Sequence, residues 1–139
     1  MILIGENIHI ISKQVREALE NKDENFVKNL IKIQQNSDCI DLNVGPAKGK
    51  LDSIFDWLIP LCDGKNISLD STNLQAISGA VKIIPNPKNC FINSTSKDSE
   101  KLEFLTDLAL EYDCNLIALA MSKETGIPKT ADERLEIIM

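Results

Sequence analysis

The sequence predicts an α/β fold in which short parallel strands alternate with helices. Short apolar runs recur along the chain, and the segments between them repeat apolar residues at the period of about 3.6 residues that amphipathic helices show. The run at residues 116–121 is almost continuously apolar, as in parallel strands that are buried on both faces. Repeated strand–helix units of this kind build a parallel sheet with helices outside it.

Five strands and six helices are predicted in chain order. The strands are residues 2–4, 39–44, 67–70, 90–93 and 116–121. The helices are about residues 12–20, 26–33, 54–61, 72–80, 102–109 and 133–139. Asn21 or Asp23 can end or cap the first of these helices, Ser71 or Thr72 can cap the fourth, and Asp132 can begin the sixth. A doubly wound sheet can be complete with five strands, whereas a closed (β/α)₈ barrel of about 250 residues cannot, so both architectures stay open at this point.

The amino-acid composition and net charge exclude some classes of binding partner. The 139 residues carry a net charge of −6 and have a pI near 4.8, which argues against binding to the phosphate backbone of nucleic acids. Aromatic residues make up only 4%, so base-stacking surfaces are not expected. No apolar run approaches the roughly 18 residues of a membrane span, and no secretory leader is recognisable. We therefore expect a cytoplasmic protein whose four cysteines are reduced.

Each of the first four predicted strands ends in polar side chains. These are Glu6, Asp41, Asn43, Asp70 and Asn93. Asp41 and Asn43 are two residues apart, so they face the same side of their strand. Parallel strands place ligands at their carboxyl ends, which predicts a site for a polar ligand rich in N–H donors. A structural turn is the alternative at any single position, and neither a phosphate loop nor a cluster of metal ligands is indicated.

Five short motifs follow one another at the predicted strand ends. They are IGENI at residues 4–8, DLNVGP at 41–46, LDSTN at 69–73, INST at 92–95 and TGIPK at 125–129. In this order they resemble segments of the pterin-binding barrels, the family that includes dihydropteroate synthase. The last motif resembles the loop after strand five in methyltetrahydrofolate:corrinoid/iron-sulfur protein methyltransferases. The resemblance runs over essentially the whole chain.

The resemblance implies a fold, a reaction and partners. Residues 1–139 are expected to form a partial domain, the first five or so βα units of a (β/α)₈ TIM barrel whose C-terminal strands are absent. In the family a methyl group moves from N5 of methyltetrahydrofolate to the cobalt of a corrinoid, a cobalamin-type cofactor carried by a separate protein. An open half-barrel exposes unpaired strand edges, so a second copy or a complementing barrel half is an expected partner beside the corrinoid protein.

The resemblance also implies substrate-binding residues. By position these are Asp70, Asn93, Asp41, Asn43, Glu6, Asn73 and Ser94. Asp70 and Asn93 match residues that hydrogen-bond the pterin ring, and Asp41 and Asn43 match residues lining the same pocket. The Asn that engages N5 in the family lies on a later strand, so the catalytic residues of this chain are unknown.

Two positions depart from the family pattern, and other functions stay open. His9 stands where Asn is usual and Asn7 where a basic residue is more usual. A structural or exposed histidine and a substrate contact are the alternatives for His9. The functional alternatives are a non-catalytic pterin- or folate-binding module, an inert fragment, and a dihydropteroate-synthase-type enzyme. The motifs at 69–73 and 125–129 favour the methyltransferase over the last of these.

Overall fold

The computed structural model describes residues 1–122, 124 and 126–139. Within them the chain forms one sheet of five parallel strands in the order β1-β2-β3-β4-β5. The strands are β1 Ile4–His9, β2 Cys39–Gly45, β3 Ile67–Ser71, β4 Phe91–Thr95 and β5 Asn115–Ala118. This confirms the predicted α/β fold. Each strand lies beside its predecessor, so the order lacks the reversal of a doubly wound sheet and is that of successive βα repeats of a TIM barrel.

Helices connect the strands. They are α1 Lys13–Glu20, α2 Glu24–Ile33, α3 Ile54–Leu61, α4 Leu74–Val81, α5 Ser99–Tyr112 and α6 Ala131–Ile138, with 3-10 turns at Gly49–Leu51 and Pro87–Asn89. Of the two residues predicted to end or cap the first helix, Asn21 is the C-cap of α1. Asp23 is instead the N-cap of α2, where its carboxylate accepts a hydrogen bond from Phe26 N at 3.0 Å. In the described ranges, no helix has the length and apolar character needed to cross a membrane.

The main core lies between the helices and one face of the sheet. Along β2, Ile40, Leu42 and Val44 are fully buried against the helices, whereas Asp41 and Asn43 alternate with them on the opposite face. Other large, fully buried side chains are Ile8, Leu19, Ile54, Leu58, Ile67, Leu69, Ile77, Ile92 and Leu105. Burial of this apolar face therefore turns the alternate, polar positions of the strands toward the other side.

The bounds predicted for the first strand are wrong, because β1 starts later and extends to His9. Its pairing with β2 shifts between Gly5 and Ile8. Gln34, which is only 6% exposed, lies against this irregularity and accepts a hydrogen bond from Asn7 N at 2.9 Å. The apolar run at the start of the chain does not reveal this bulge, because its partner comes from the end of α2.

Helix α4 begins after Asn73 rather than after the predicted caps at Ser71 or Thr72. The Asn73 Oδ1 accepts hydrogen bonds from the backbone N–H groups of residues 75 and 76 at 3.1 and 3.2 Å. Ser71 instead belongs to β3, and its hydroxyl donates to Gly45 O. Side-chain type alone did not distinguish three consecutive residues that can all cap a helix.

Helix α6 also begins earlier than predicted. Thr130, not Asp132, is its cap: Thr130 Oγ1 accepts from Glu133 N at 3.2 Å, and the Glu133 carboxylate accepts from Thr130 N at 3.1 Å. This reciprocal pair satisfies two backbone donors at once. Of the TGIPK motif just before it, Thr125 lies outside the described residues.

Strand β5 ends at Ala118 instead of residue 121, and the expectation that it is buried on both faces is wrong. Leu119 is 42% exposed, and within the described part of the chain β5 pairs only with β4. The apolar run therefore lies at an open edge of the sheet. Its composition is that of a buried strand, but among the described residues no strand pairs with its outer edge.

The four cysteines are free thiols, as predicted. Burial raises the pKa of both Cys39 and Cys62 to about 12, so these side chains behave as small apolar groups.

Two glycines provide a matched test of the bulge in β1. A Cβ added at Gly5 would lie 2.5 Å from Gln34 Oε1, whereas one added at Gly79 in α4 meets nothing within 4 Å. We expect Gly5→Ala to lower the free energy of unfolding by about 1–3 kcal/mol. Gly79→Ala should raise it by about 0.5–1 kcal/mol, because alanine restricts the unfolded chain. Urea denaturation of both variants measures this, and equal effects would refute the packing argument.

Candidate functional site

A row of polar residues crosses the sheet near the carboxyl ends of four strands. Backbone pairing aligns His9 with Asn43, Asn43 with Asp70, and Asp70 with Asn93. Residues aligned in this way point to the same side of the sheet. The strand register therefore brings side chains from β1 to β4 onto one face, opposite the core beneath the helices.

A second row lies one step deeper in the sheet. Asp41 aligns with Ser68, and Ser68 aligns with Phe91. Asp41 is 2% exposed and Ser68 is fully buried, so this row forms the floor beneath the first one. We refer to Asp41, Asn43, Ser68, Asp70 and Asn93 together as the polar cluster.

Hydrogen bonds fix the upper part of the polar cluster. Asn43 Nδ2 donates to Asp70 Oδ2 at 2.7 Å, and Asn43 Oδ1 accepts from Gly45 N at 3.2 Å. The backbone N–H can only donate, so it determines which end of the Asn43 amide faces Asp70. One oxygen of Asp70 is thus already engaged before any ligand binds.

Asp41 is the centre of the lower part. Its Oδ1 accepts from Ser68 Oγ at 2.5 Å and from Asn93 Nδ2 at 3.1 Å. Three neighbouring strands are joined through this one oxygen. Throughout the described ranges every buried side-chain nitrogen or oxygen has a hydrogen-bond partner, so the cluster is fully satisfied where it is buried.

The two carboxyl groups influence each other. Burial raises the pKa of Asp70 to about 6, and the negative charge of Asp41 acts in the same direction. Burial also raises the pKa of Asp41, although the hydrogen bonds from Ser68 and Asn93 lower it. The interaction between the two carboxyl groups lowers the pKa of Asp41 and raises that of Asp70. The charge of Glu6 raises the pKa of both groups.

Four of the seven expected site residues therefore lie together in the polar cluster. Glu6 is exposed on β1, close enough for its charge to act on both aspartates. Ser94 is half-buried beside the cluster on β4. Asn73 caps α4, and its Nδ2 donates to Pro46 O at 3.1 Å, so much of its amide is used in joining two loops. Their roles as ligand contacts, and that of His9, stay predictions.

Ser68 is the member of the polar cluster that sequence reasoning missed. It is buried on β3 and supplies the shortest hydrogen bond to Asp41 within the polar cluster. A signal was available, because Ser68 stands two residues before Asp70 and so faces the same side of the strand.

A cleft separate from the polar cluster lies between the segment after β5 and α6. Its volume is about 440 Å³, and its charged lining residues include Lys97, Glu133 and Glu136. Lys97 Nζ donates to Glu136 O, and the Glu133 carboxylate accepts from two backbone N–H groups at the start of α6. These groups serve the local structure, so the polar cluster is the better candidate site.

The polar cluster is suited to binding N–H donors. It presents carboxylate and amide oxygens on the face of the sheet opposite the helices, near the carboxyl ends of the strands, where parallel α/β folds bind ligands. Within the described residues, no group of three or more His, Cys, Asp or Glu side chains is placed to hold a metal ion.

The raised pKa of Asp70 predicts that ionisation of this carboxyl lowers the free energy of unfolding. The folded-state pKa of about 6 exceeds the ordinary 3.8, so the favourable contribution of Asp70 is complete below about pH 4 and is lost as pH rises through about 6. We expect Asp70→Asn to increase the free energy of unfolding near pH 7 by about 1 kcal/mol, a value kept modest by solvent around this half-buried carboxyl. Near pH 4 the gain should vanish.

Denaturation of the wild type and the variant at both pH values measures this difference. Asp107→Asn, at an exposed position on α5, is the control for the loss of one charge. A gain that is the same at both pH values, or is matched by the control, would contradict the account of Asp70.

The chain is similar in sequence to a curated protein. No family model matches the chain. A protein of Eubacterium limosum named methylcorrinoid:tetrahydrofolate methyltransferase is 26% identical over 150 aligned residues, which cover 99% of this chain and 52% of that protein. The chain thus spans about half the length of this curated relative. That protein's name pairs a corrinoid with a folate, the two substrates that the sequence motifs imply.

Proposed function

We propose that this chain is the pterin-binding part of a methyltransferase that moves a methyl group between N5 of a tetrahydrofolate and the cobalt of a separate corrinoid protein. The observation that carries the proposal is the polar cluster, in which Asp41, Asn43, Asp70 and Asn93 converge on one face at the strand ends. The name of the relative supports the choice of substrates.

The edge of a pterin ring suits these groups. It carries an amino group beside a ring N–H, and the Asp70 carboxylate can accept a hydrogen bond from such a pair. Asp70 Oδ2 is shared with Asn43, which holds the carboxylate in place before the ligand arrives. Once a bound ligand covers it, an acceptor of this kind discriminates strongly against ligands that lack the matching donor.

The contribution of these residues to methyl transfer is binding and orientation. When the methyl group leaves N5 for cobalt, the bonding electron pair stays on N5 and a proton or hydrogen bond must stabilise it. We assign no residue of this chain to that role. The family resemblance implies transfer of the methyl group from N5 to cobalt, whereas the relative's name states the methylcorrinoid first. One pterin site can serve methyl transfer in either direction, because both directions pass through the same transition state.

We further propose that the sheet edge at β5 is completed by the remaining strands of a barrel. Leu119 after β5 and Ile138 on α6 are exposed apolar side chains beside that edge. A complementing half, in the same polypeptide or in another, would bury them and supply the group that acts on N5. Self-association of the chain is the alternative way to cover this surface.

A non-catalytic pterin- or folate-binding module is the second candidate function. It is favoured because every role that we propose for a residue of this chain is one in ligand binding, and none acts on N5. Binding without methyl transfer in the presence of a corrinoid protein and a complementing half would support it over the methyltransferase.

The first experiment is calorimetric titration of the chain with methyltetrahydrofolate, with the oligomeric state measured in the same sample by light scattering. We expect saturable binding that Asp70→Ala and Asn93→Ala each weaken by about 1–3 kcal/mol, because each leaves a buried partner unpaired. Asp107→Ala, which also removes one carboxylate but is exposed on α5, should bind like the wild type. Unchanged affinity in both site variants would remove the assignment.

The pH dependence of binding tests the role of Asp70 separately. The ionised carboxylate is the better acceptor, and its pKa in the free chain is about 6. Affinity should therefore be nearly constant above about pH 7 and fall by up to about tenfold per pH unit below about pH 6. Asp70→Asn should flatten this fall, and a profile identical to that of the wild type would show that another group titrates.

A further inference from the structure

The amide of Asn93 has a defined orientation in the ligand-free chain. Asn93 Nδ2 donates to Asp41 Oδ1 at 3.1 Å, and an ionised carboxylate cannot donate in return, so the NH₂ end must face Asp41. The amide is planar, which directs Asn93 Oδ1 away from the buried floor. Among the described residues this oxygen accepts no hydrogen bond, and every buried polar side-chain atom there has a partner, so Oδ1 is open to solvent.

Asp41 is in turn held by Ser68. The two residues are aligned on adjacent strands, both are buried, and the Ser68 hydroxyl donates to the same Oδ1 that receives Asn93. A carboxylate that rotated away from this position would leave a buried hydroxyl unsatisfied and would itself lose two hydrogen bonds. The position of the Asp41 oxygen is therefore set by the sheet and not by the ligand.

Asn43 repeats the arrangement. Its NH₂ group faces Asp70, and its own oxygen is occupied by Gly45 N. Each amide of the polar cluster thus donates an N–H to one of the two aspartates. Asn93 Oδ1 and Asp70 Oδ1 are acceptor oxygens that neither of these hydrogen bonds uses.

We propose that Asp41, anchored by Ser68, is a positioning residue that holds the Asn93 amide with its oxygen outward and so makes the site favour ligand edges that present adjacent N–H donors. The proposal rests on the proposed function and deepens it. A pterin ring, with an amino group beside a ring N–H, fits such a surface. A pteridine-dione, in which a carbonyl replaces the amino group, would set an acceptor against an acceptor.

The alternative is an amide that turns over to suit its ligand. A free Asn93 amide could present either its oxygen or its NH₂ group, and the site would then accept amino- and carbonyl-bearing rings almost equally. Removing the acceptor at residue 41 should therefore convert a site that prefers amino-bearing rings into one that accepts both kinds of ring almost equally. Asp41→Leu does this with similar volume, whereas Asp41→Asn keeps an oxygen that can accept from Ser68 and Asn93.

The first test needs no ligand. In ¹⁵N-labelled chain, exchange of the Asn93 side-chain amide protons with solvent is measured by NMR. We expect slow exchange in the wild type and in Asp41→Asn, and exchange about tenfold faster in Asp41→Leu, since one hydrogen bond is worth roughly a factor of ten. Near-ultraviolet circular dichroism checks that each variant is folded. An unchanged rate in folded Asp41→Leu overturns the proposal.

The second test measures selectivity. Affinities for 6-methylpterin and for the corresponding pteridine-dione, 6-methyllumazine, are compared by calorimetry. We expect the wild type and Asp41→Asn to prefer the pterin by about ten- to a hundredfold, and Asp41→Leu to distinguish the two by less than about threefold. Equal affinities in the wild type overturn the proposal. A wild type that binds neither compound refutes the proposed function, while the exchange experiment still decides the role of Asp41.

Ser68→Ala provides a second variant for both measurements. It removes the hydroxyl that anchors Asp41 but leaves the carboxylate, so exchange and selectivity should lie between those of the wild type and Asp41→Leu. If Asp41→Leu does not fold, the two measurements on Ser68→Ala decide in its place, and wild-type values in both overturn the proposal.

Discussion

The arrangement of the candidate site depends on one buried carboxylate. Asp41 is almost completely removed from solvent, and its Oδ1 joins β2 to Ser68 on β3 and to Asn93 on β4. Burying a charge is unfavourable unless hydrogen bonds replace its hydration. The two donors that do so come from adjacent strands, so the sheet register and the solvation of Asp41 depend on each other.

The charges of the polar cluster affect both the stability of the fold and the proposed ligand binding. The floor holds two acidic side chains close together, and burial together with the neighbouring charge raises the pKa of Asp70 to about 6. At neutral pH the ionised pair opposes folding, yet ionisation is what provides acceptor oxygens for a ligand. The fold therefore retains an unfavourable electrostatic interaction at the candidate site, as functional sites commonly do.

Much of the fold was predictable because its signals are local. Apolar periodicity located all five strands and the helices between them, and alternation along β2 placed Asp41 and Asn43 on one face. The misses share a cause. The bulge in β1 depends on Gln34, and the exposure of the run after β5 depends on what lies beyond a sheet edge. Both features depend on contacts between residues that are far apart in sequence, and no local sequence pattern reveals such contacts.

The sequence by itself determined the alternation of strands and helices, the reduced cysteines and the identity of the polar residues at the strand ends, because these follow from residue type and spacing. Only the tertiary structure decided the sequential order of the strands, the floor role of Ser68 and the direction in which the Asn43 and Asn93 amides point. An asparagine offers both a donor and an acceptor. Which of them faces outward is set by the partner that the neighbouring strand places against it.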